Sequence, residues 1–398
     1  MKKDPKAIYL APSAQGYASV EDRFLRTPLR VHREESTDTP PLTQTYAHYF
    51  EGIRDVIFRN GCKQLCAATT TQTGKQISSA DIEEIRIYAE KHGSDYHPAR
   101  IDVIVAGGTV ATFVMNVAVT ERGRERLSRE FDVLKRLNRK DAATGTPFLP
   151  VAYFRDETRA PRRADDSPGN DTPFMVMFLA DWFQGYHEFH LSVEKRAGHP
   201  LGLVVWNTDR GTRFLSETQT AGTYAQIARI LTGYYDTRSF QQIFPWHHAA
   251  GDFVVRIRPE VSEVRLVTAR QYAPMVEGAS VFDALLFFLL NLSLRTRLDR
   301  LDGVGDVAWA ADGCVAATLS GFLEGLTLDR ADVKDFISYV KETGQAGLQE
   351  RFAALVEACS ADAPDIPVIR KNLNRHITVF HEAIQHILFS PNGDGYYG

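Results

Sequence analysis

The chain has 398 residues, 44% of them hydrophobic and 24% charged, with a formal net charge of −4. That length exceeds one ordinary core, so two or three lobes are expected, and the slight acidity gives no general attraction to polyanions, which argues against a nucleic-acid partner. The most apolar run, VFDALLFFLLNLSL at 281–294, carries Asp283 and is shorter than the ~18 residues of a spanning helix, so a soluble, cytoplasmic protein without a membrane partner is expected.

Residues 1–42 mix Pro, Ser, Thr and charge without sustained periodicity and are expected to form an arm of little chemistry. Residues 45–60 read as a helix. Residues 78–93 read as a second one, with a serine at the start, apolar Ile82, Ile85 and Ala89, and Gly93 as the stop. From 99 the period changes: ARIDVIVAGG and TVATFVMNVAV are β-branched runs joined by Gly107 and Gly108, which suit an antiparallel hairpin. Leu127, Phe131, Leu134 and Leu137 then recur at helical spacing within 122–138. Strands are expected at 148–154 and 174–183, separated by a charged loop over 155–173. Beyond 220 the pattern is mostly helical, at 221–236, 280–297, 314–326, 330–343, 346–359 and 370–389, with short strands near 251–256 and 262–268.

A small sheet with one helix inserted, followed by a larger helical half containing one hairpin, resembles the protein-kinase-like fold, and most closely its aminoglycoside and choline phosphotransferase branch. The expected architecture is therefore α+β and two-lobed: an N-terminal arm and helical extension over 1–95, a small β-rich lobe over 96–185, and a large, mostly helical lobe over 186–398. The resemblance implies ATP and magnesium as ligands, with a strand lysine on the phosphates, a helix glutamate bracing it and an aspartate as base. In FVMNVAVTERGRERLSREFDVLKRL the lysine position is filled by Asn116, which cannot neutralise a phosphate, while Glu130 matches the glutamate. Glu130 falls inside the apolar stripe, where a carboxylate needs a partner; Asn116 or water is the structural alternative to a nucleotide.

The family's loop runs roughly H-G-D-x-H-x-x-N before an apolar strand. Laid on FPWHHAAGDFVV, it puts the base at His247 and the metal-binding asparagine at Asp252. An imidazole accepts a proton near neutral pH, and a carboxylate holds magnesium at least as well as an amide does. The second metal aspartate corresponds to Thr268 in EVRLVTARQYAP, with Arg270 adding positive charge nearby. Phosphoryl transfer depends almost wholly on positioned charge, so these exchanges imply a pseudokinase that binds a nucleotide or another small ligand, or a protein partner as a scaffold. The alternatives are an atypical phosphotransferase using His247 and Asp252, and a metal site made by His247, His248 and Asp252, joined by a remote histidine such as His190.

Other signals fail on spacing. TTTQTGKQ at 69–76 has Thr69 for the first glycine of a phosphate loop and Gln76 for its hydroxyl residue. His376, His381 and His386 are five apart, a turn of about 140° each time on a helix, whereas a zinc motif needs four. The four cysteines, including the pair in GCKQLC, make no zinc or disulfide framework. His248 on its own reads as a core histidine bonded to backbone carbonyls, and Trp246 and Phe253 as packing for the loop.

Overall fold

Alternation of apolar and polar residues, strongest in ARIDVIV, turns most of the first half of the chain into one sheet. The structure is a computed structural model that describes residues 5–14, 16–29, 44–90, 96–144, 148–160, 174–193, 201–207, 211–248, 251–259, 261–359 and 363–387. The chain divides into two units, Met1–Gln184 and Gly185–Gly398.

In the first unit, β1 (Lys6–Ser13), β2 (Gly16–Ser19), the one-turn helix α1 (Asp22–Leu25) and α2 (Tyr46–Thr73) precede β3 (Ile82–Ala89). There follow β4 (His97–Val105), β5 (Gly108–Ala118), α3 (Glu121–Thr144), β6 (Ala152–Arg159) and β7 (Phe174–Asp181). The seven strands form one sheet in the order β2-β1-β3-β4-β5-β7-β6, antiparallel except where β1 runs parallel to β3. Strand alternation sends Ile101, Phe113, Met115, Val117, Met177 and Leu179 into a core that includes Tyr49, Phe50, Ile53 and Ile57 of α2. Each of these α2 side chains is fully enclosed and stabilises the unit by roughly 1.5–3 kcal/mol. The other face carries α3, whose Phe131 meets Phe178 at 5.8 Å between ring centroids.

Four expectations are corrected here. Residues 82–89 are a strand, not part of a helix over 78–93, because Ile85, Ile87 and Ala89 pair with Val103, Ile101 and Ala99 of β4. The arm expected over 1–42 contributes β1 and β2 to the same sheet, so the boundary drawn at 95/96 falls between two hydrogen-bonded strands. The two-residue turn of the β4–β5 hairpin is Ala106–Gly107, with Val105 facing Gly108 and Gly107 at φ 103°. Residues 74–76 of TTTQTGKQ follow the end of α2, where Gly74 is a left-handed cap at φ 68°. Of the charged loop expected over 155–173, residues 155–159 belong to β6, and 161–173 lie outside the described residues.

The second unit opens with a three-stranded sheet that the sequence pattern had not marked, β8 (Phe189–Ser192), β9 (Gly202–Asn207) and β10 (Gly211–Phe214), then α4 (Glu217–Gly233). Next come β11 (Gln241–Ile243), β12 (Phe253–Ile257), β13 (Ser262–Leu266) and β14 (Tyr272–Pro274). They are followed by α5 (Val281–Arg295), β15 (Leu298–Arg300), β16 (Val307–Trp309), α6 (Gly313–Gly325), α7 (Arg330–Glu357) and α8 (Ile366–Gln385). Helix α7 is broken at Gly344, φ 63°, where the two helices expected at 330–343 and 346–359 adjoin. Helices α4 and α6 touch backbone to backbone: a Cβ added to Gly321 would stand 1.8 Å from the Ala225 carbonyl oxygen. Among the described residues no helix is long and apolar enough to cross a membrane.

Candidate functional site

The loop that carries FPWHHAAGDFVV is closed by two strand pairs. β11 pairs with β14, Ile243 facing Tyr272, and β12 with β13, Phe253 facing Leu266. Both ends of the inner hairpin are thereby pinned, and the Val267 amide donates to the Asp252 carbonyl at 2.8 Å. This brings His247, Asp252, Thr268 and Arg270 into one neighbourhood. Trp246 and Phe253, both buried, meet edge to face at 5.9 Å and hold the loop as expected. Gly251 sits at φ 73°, a conformation that strains other residues, and a Cβ there would come within 2.9 Å of Glu188 Oε1, which would have to move aside.

Asp252 is only 1% exposed, and both its oxygens are engaged. Arg270 Nη1 donates to Oδ2 and Nη2 to Oδ1, each at 2.6 Å, and the His247 backbone N–H donates to Oδ2 at 2.8 Å. This is the bidentate fork that guanidinium and carboxylate geometry favours. Thr268 is buried beside it. Burial, and then the neighbouring His248, pull the His247 imidazole down to about 4, so it is neutral at pH 7.

Behind the loop lies a cluster centred on Asp299 of β15, a residue the sequence reading missed. A two-residue bridge, with His187 and Val255 exchanging N–H···O bonds of 2.9 Å each way, lays the 187–190 segment beside β12. His190 Nδ1 then stands 3.4 Å from Asp299 Oδ1 and its Nε2 3.8 Å from Glu188 Oε2, while His248 Nδ1 is 3.5 Å from Asp299 Oδ2. Asp299 also accepts the Leu191 and Arg300 amides at 2.7 Å each. Burial works against the His190 cation, but Asp299 and Glu188 overcome it and push its pKa up to about 9. Burial likewise opposes the Asp299 anion, and His248 and His190 hold it well below the usual carboxylate range. The backbone carbonyls expected as partners of His248 are not found: Asp299 is 3.5 Å away, and neither ring nitrogen has a hydrogen-bond partner among the described residues.

His247, His248 and Asp252 do not converge on a metal. Asp252 faces Arg270 and the rings of His247 and His248 stack 5.7 Å apart; among the described residues no group of three or more His, Cys, Asp or Glu side chains is arranged to hold an ion. His376, His381 and His386 are likewise separate: His376 is fully buried, bonding Ser293 Oγ at 3.1 Å, and His386 is exposed.

Asn116 and Glu130 belong to the first unit. Asn116 is half-buried on β5, opposite Phe178, on the face that carries α3. Glu130 is 2% exposed and accepts a hydrogen bond from the Tyr96 hydroxyl.

The first unit also holds a cleft of about 560 Å³, lined by Gln72, Arg100, Asp102, Thr112, Trp182 and Gln184 among others. Arg100 and Asp102 alternate with buried Ala99, Ile101 and Val103 on β4 and so point away from the α2 core. The Arg100 guanidinium lies over the Tyr88 ring at 3.8 Å, with Tyr17 at 4.9 Å and Trp182 at 5.9 Å. Its Nε is 3.8 Å from Glu90 Oε1 and 3.9 Å from Asp102 Oδ1, beyond hydrogen-bond reach. Arg100 Nε and Glu90 Oε1 are both buried without a hydrogen-bond partner among the described residues. The signal for this cleft in the sequence is the charge on alternate positions of an otherwise apolar strand.

No protein-family profile matches this chain, and no curated protein matches it either.

Proposed function

We propose that the chain is a kinase-like protein without efficient phosphoryl transfer, which binds a nucleotide or another small ligand and serves as a binding or scaffolding component. The observation that carries this reading is the buried fork between Arg270 and Asp252. The residue aligned with the family's metal ligand has both oxygens committed to an internal cation, and a dication brought to the same carboxylate would meet that guanidinium at contact distance. These residues do not fit a magnesium site. His247 at about 4 is too weak a base to match a neutral operating pH. With Asn116 in place of a lysine and Thr268 in place of a carboxylate, little positioned charge is left for the transferred group.

The element order supports the kinase-like part of the reading. A strand pair, α3 and a second strand pair precede a mostly helical unit in which two further strand pairs bracket the His247 loop.

Thermal unfolding titrated with ATP, with and without magnesium, tests the proposal. A ligand at about 100 times its dissociation constant adds about 2.7 kcal/mol, so a shift of several degrees independent of magnesium is expected. A phosphotransfer assay should give no turnover above background. Magnesium-dependent turnover that Asp252→Ala removes without unfolding the chain would instead establish the atypical transferase.

A further inference from the structure

We infer that the cleft of the first unit selects a guanine-type heterocycle, a neutral planar ring that presents two N–H donors beside a carbonyl acceptor. This deepens the proposed ligand binding and rests on it.

The selectivity follows from three features of the cleft. Arg100 and Asp102 stand side by side on β4, so the wall offers a donor fork next to an acceptor pair, both fixed. The fork is stacked on the Tyr88 ring at 3.8 Å, and Asp102, 3.9 Å from Nε, keeps lone pairs for a ligand. Second, Arg100 Nε has two carboxylates, Asp102 and Glu90, at 3.8–3.9 Å, while the neighbouring cation Arg86, which faces Asp102 across the strands, is paired with Glu84. That balance disfavours a phosphate or carboxylate at Arg100 and favours a neutral ligand with more donors than acceptors. Third, Arg100 Nε has no hydrogen-bond partner among the described residues, so no short bond to Glu90 or Asp102 holds the guanidinium away from a ligand.

Guanine meets these conditions: N1–H and the N2 amine donate to a carboxylate, while O6 accepts from a guanidinium. Adenine presents one amine donor beside ring-nitrogen acceptors and leaves Asp102 facing a lone pair. An α-amino acid would bring its carboxylate to an arginine already offset by two anions. The volume of about 560 Å³ suits a nucleoside and is larger than a free amino acid needs.

Calorimetric titration of the full chain with guanosine, inosine and adenosine, and with GTP and ATP, tests the inference. Guanosine is expected to bind at least roughly 10-fold more tightly than adenosine, and inosine, lacking the N2 amine, to fall between them. Asp102→Asn, which keeps size and removes one acceptor, should erase the preference, and Arg100→Lys, which keeps charge and loses the fork, should weaken guanosine binding by a similar factor; circular dichroism checks that both variants fold. Equal binding of guanosine and adenosine, or a preference that survives Asp102→Asn, would overturn the guanine assignment and leave nucleotide binding standing. Absence of binding by every purine at millimolar concentration would overturn the assignment and the nucleotide reading together. Binding of free amino acids in place of purines would overturn the assignment in favour of a zwitterion site.

Discussion

Arg270 and Arg100 each lie beside a carboxylate on or next to a strand, yet their charges are satisfied in opposite ways. Arg270 meets Asp252 with two hydrogen bonds of 2.6 Å in a loop pinned by two strand pairs. Arg100 is held by ring faces, with carboxylates near 3.8–3.9 Å and a donor left unpartnered at the wall of a cleft. A charge closed on its partner contributes to structure; a charge ordered by stacking and left with open valences is ready for a ligand. Of these two arginines, the one that the kinase-like template singles out belongs to the first class and the one it passes over to the second.

The sharpest way to break this contrast is to remove each arginine. Arg270→Ala leaves Asp252 buried with its charge uncompensated, which costs about 3–5 kcal/mol for an enclosed pair and about 3 kcal/mol here, because the Arg270 side chain is 32% exposed. Arg100→Ala should cost only about 1 kcal/mol, mostly stacking on Tyr88, while abolishing the ligand-induced thermal shift. Urea unfolding of the two variants, with and without guanosine, reads both quantities; equal destabilisation by the two would erase the distinction.

The Asp299 cluster supplies the next largest effect and gives it a pH signature. His190 is raised to about 9, so between pH 6.5 and 9 the folded chain binds a proton that the unfolded chain releases. Stability from this group is complete below about 6.5 and is lost as pH rises through 9, on the order of 3 kcal/mol in total. Asp299→Asn should flatten that alkaline decline in unfolding midpoints taken from pH 6 to 10. An unchanged slope would mean that His190 owes its proton to something other than Asp299.

What could be read from the sequence was local. Helices α4 to α8 follow from apolar residues at a period of 3.6, and the hairpin of β12 and β13 from a β-branched run after Gly251 and Asp252. Strand β3 was illegible because Ile82, Ile85 and Ala89 satisfy a helical period while Ile85, Ile87 and Ala89 satisfy a strand period, and only pairing with β4 decides between them. The same limit hid the partners in the sites. Asp299 lies 109 residues from His190, and Tyr96 lies 34 from Glu130. Template reasoning named Asp252 and Arg270 separately but had no means of seeing that each is the other's partner.

On the acid side the slope has the opposite sign. Burial, and then the Arg297 charge, pull His376 down to about 3, and His247 is depressed to about 4, so from pH 6.5 downward the unfolded chain gains protons first. Stability rises with pH in that window and is lost on acidification by roughly 1.4 kcal/mol per pH unit for each group. Arg297 can only donate, so the His376 Nδ1 at 3.4 Å accepts and Nε2–H points to Ser293. His376→Gln keeps a donor and an acceptor without a titrating ring, and should roughly halve the acid slope in midpoints measured from pH 4.5 to 6.5.

The smallest expected effect falls on the residue that best matches the kinase-like template. Glu130 is buried and takes its hydrogen bond from Tyr96, so Glu130→Gln keeps an acceptor of the same size and exchanges a charge-assisted bond for a neutral one. That exchange costs about 1 kcal/mol. Glu130 is not among the residues that line the cleft at Arg100 and Asp102, and nucleoside affinity should stay within about 2-fold, since coupling between separate sites is small. A loss of 10-fold or more in nucleotide affinity, with stability changed by no more than this, would return Glu130 to the nucleotide and place the ligand near α3, away from the Arg100 wall.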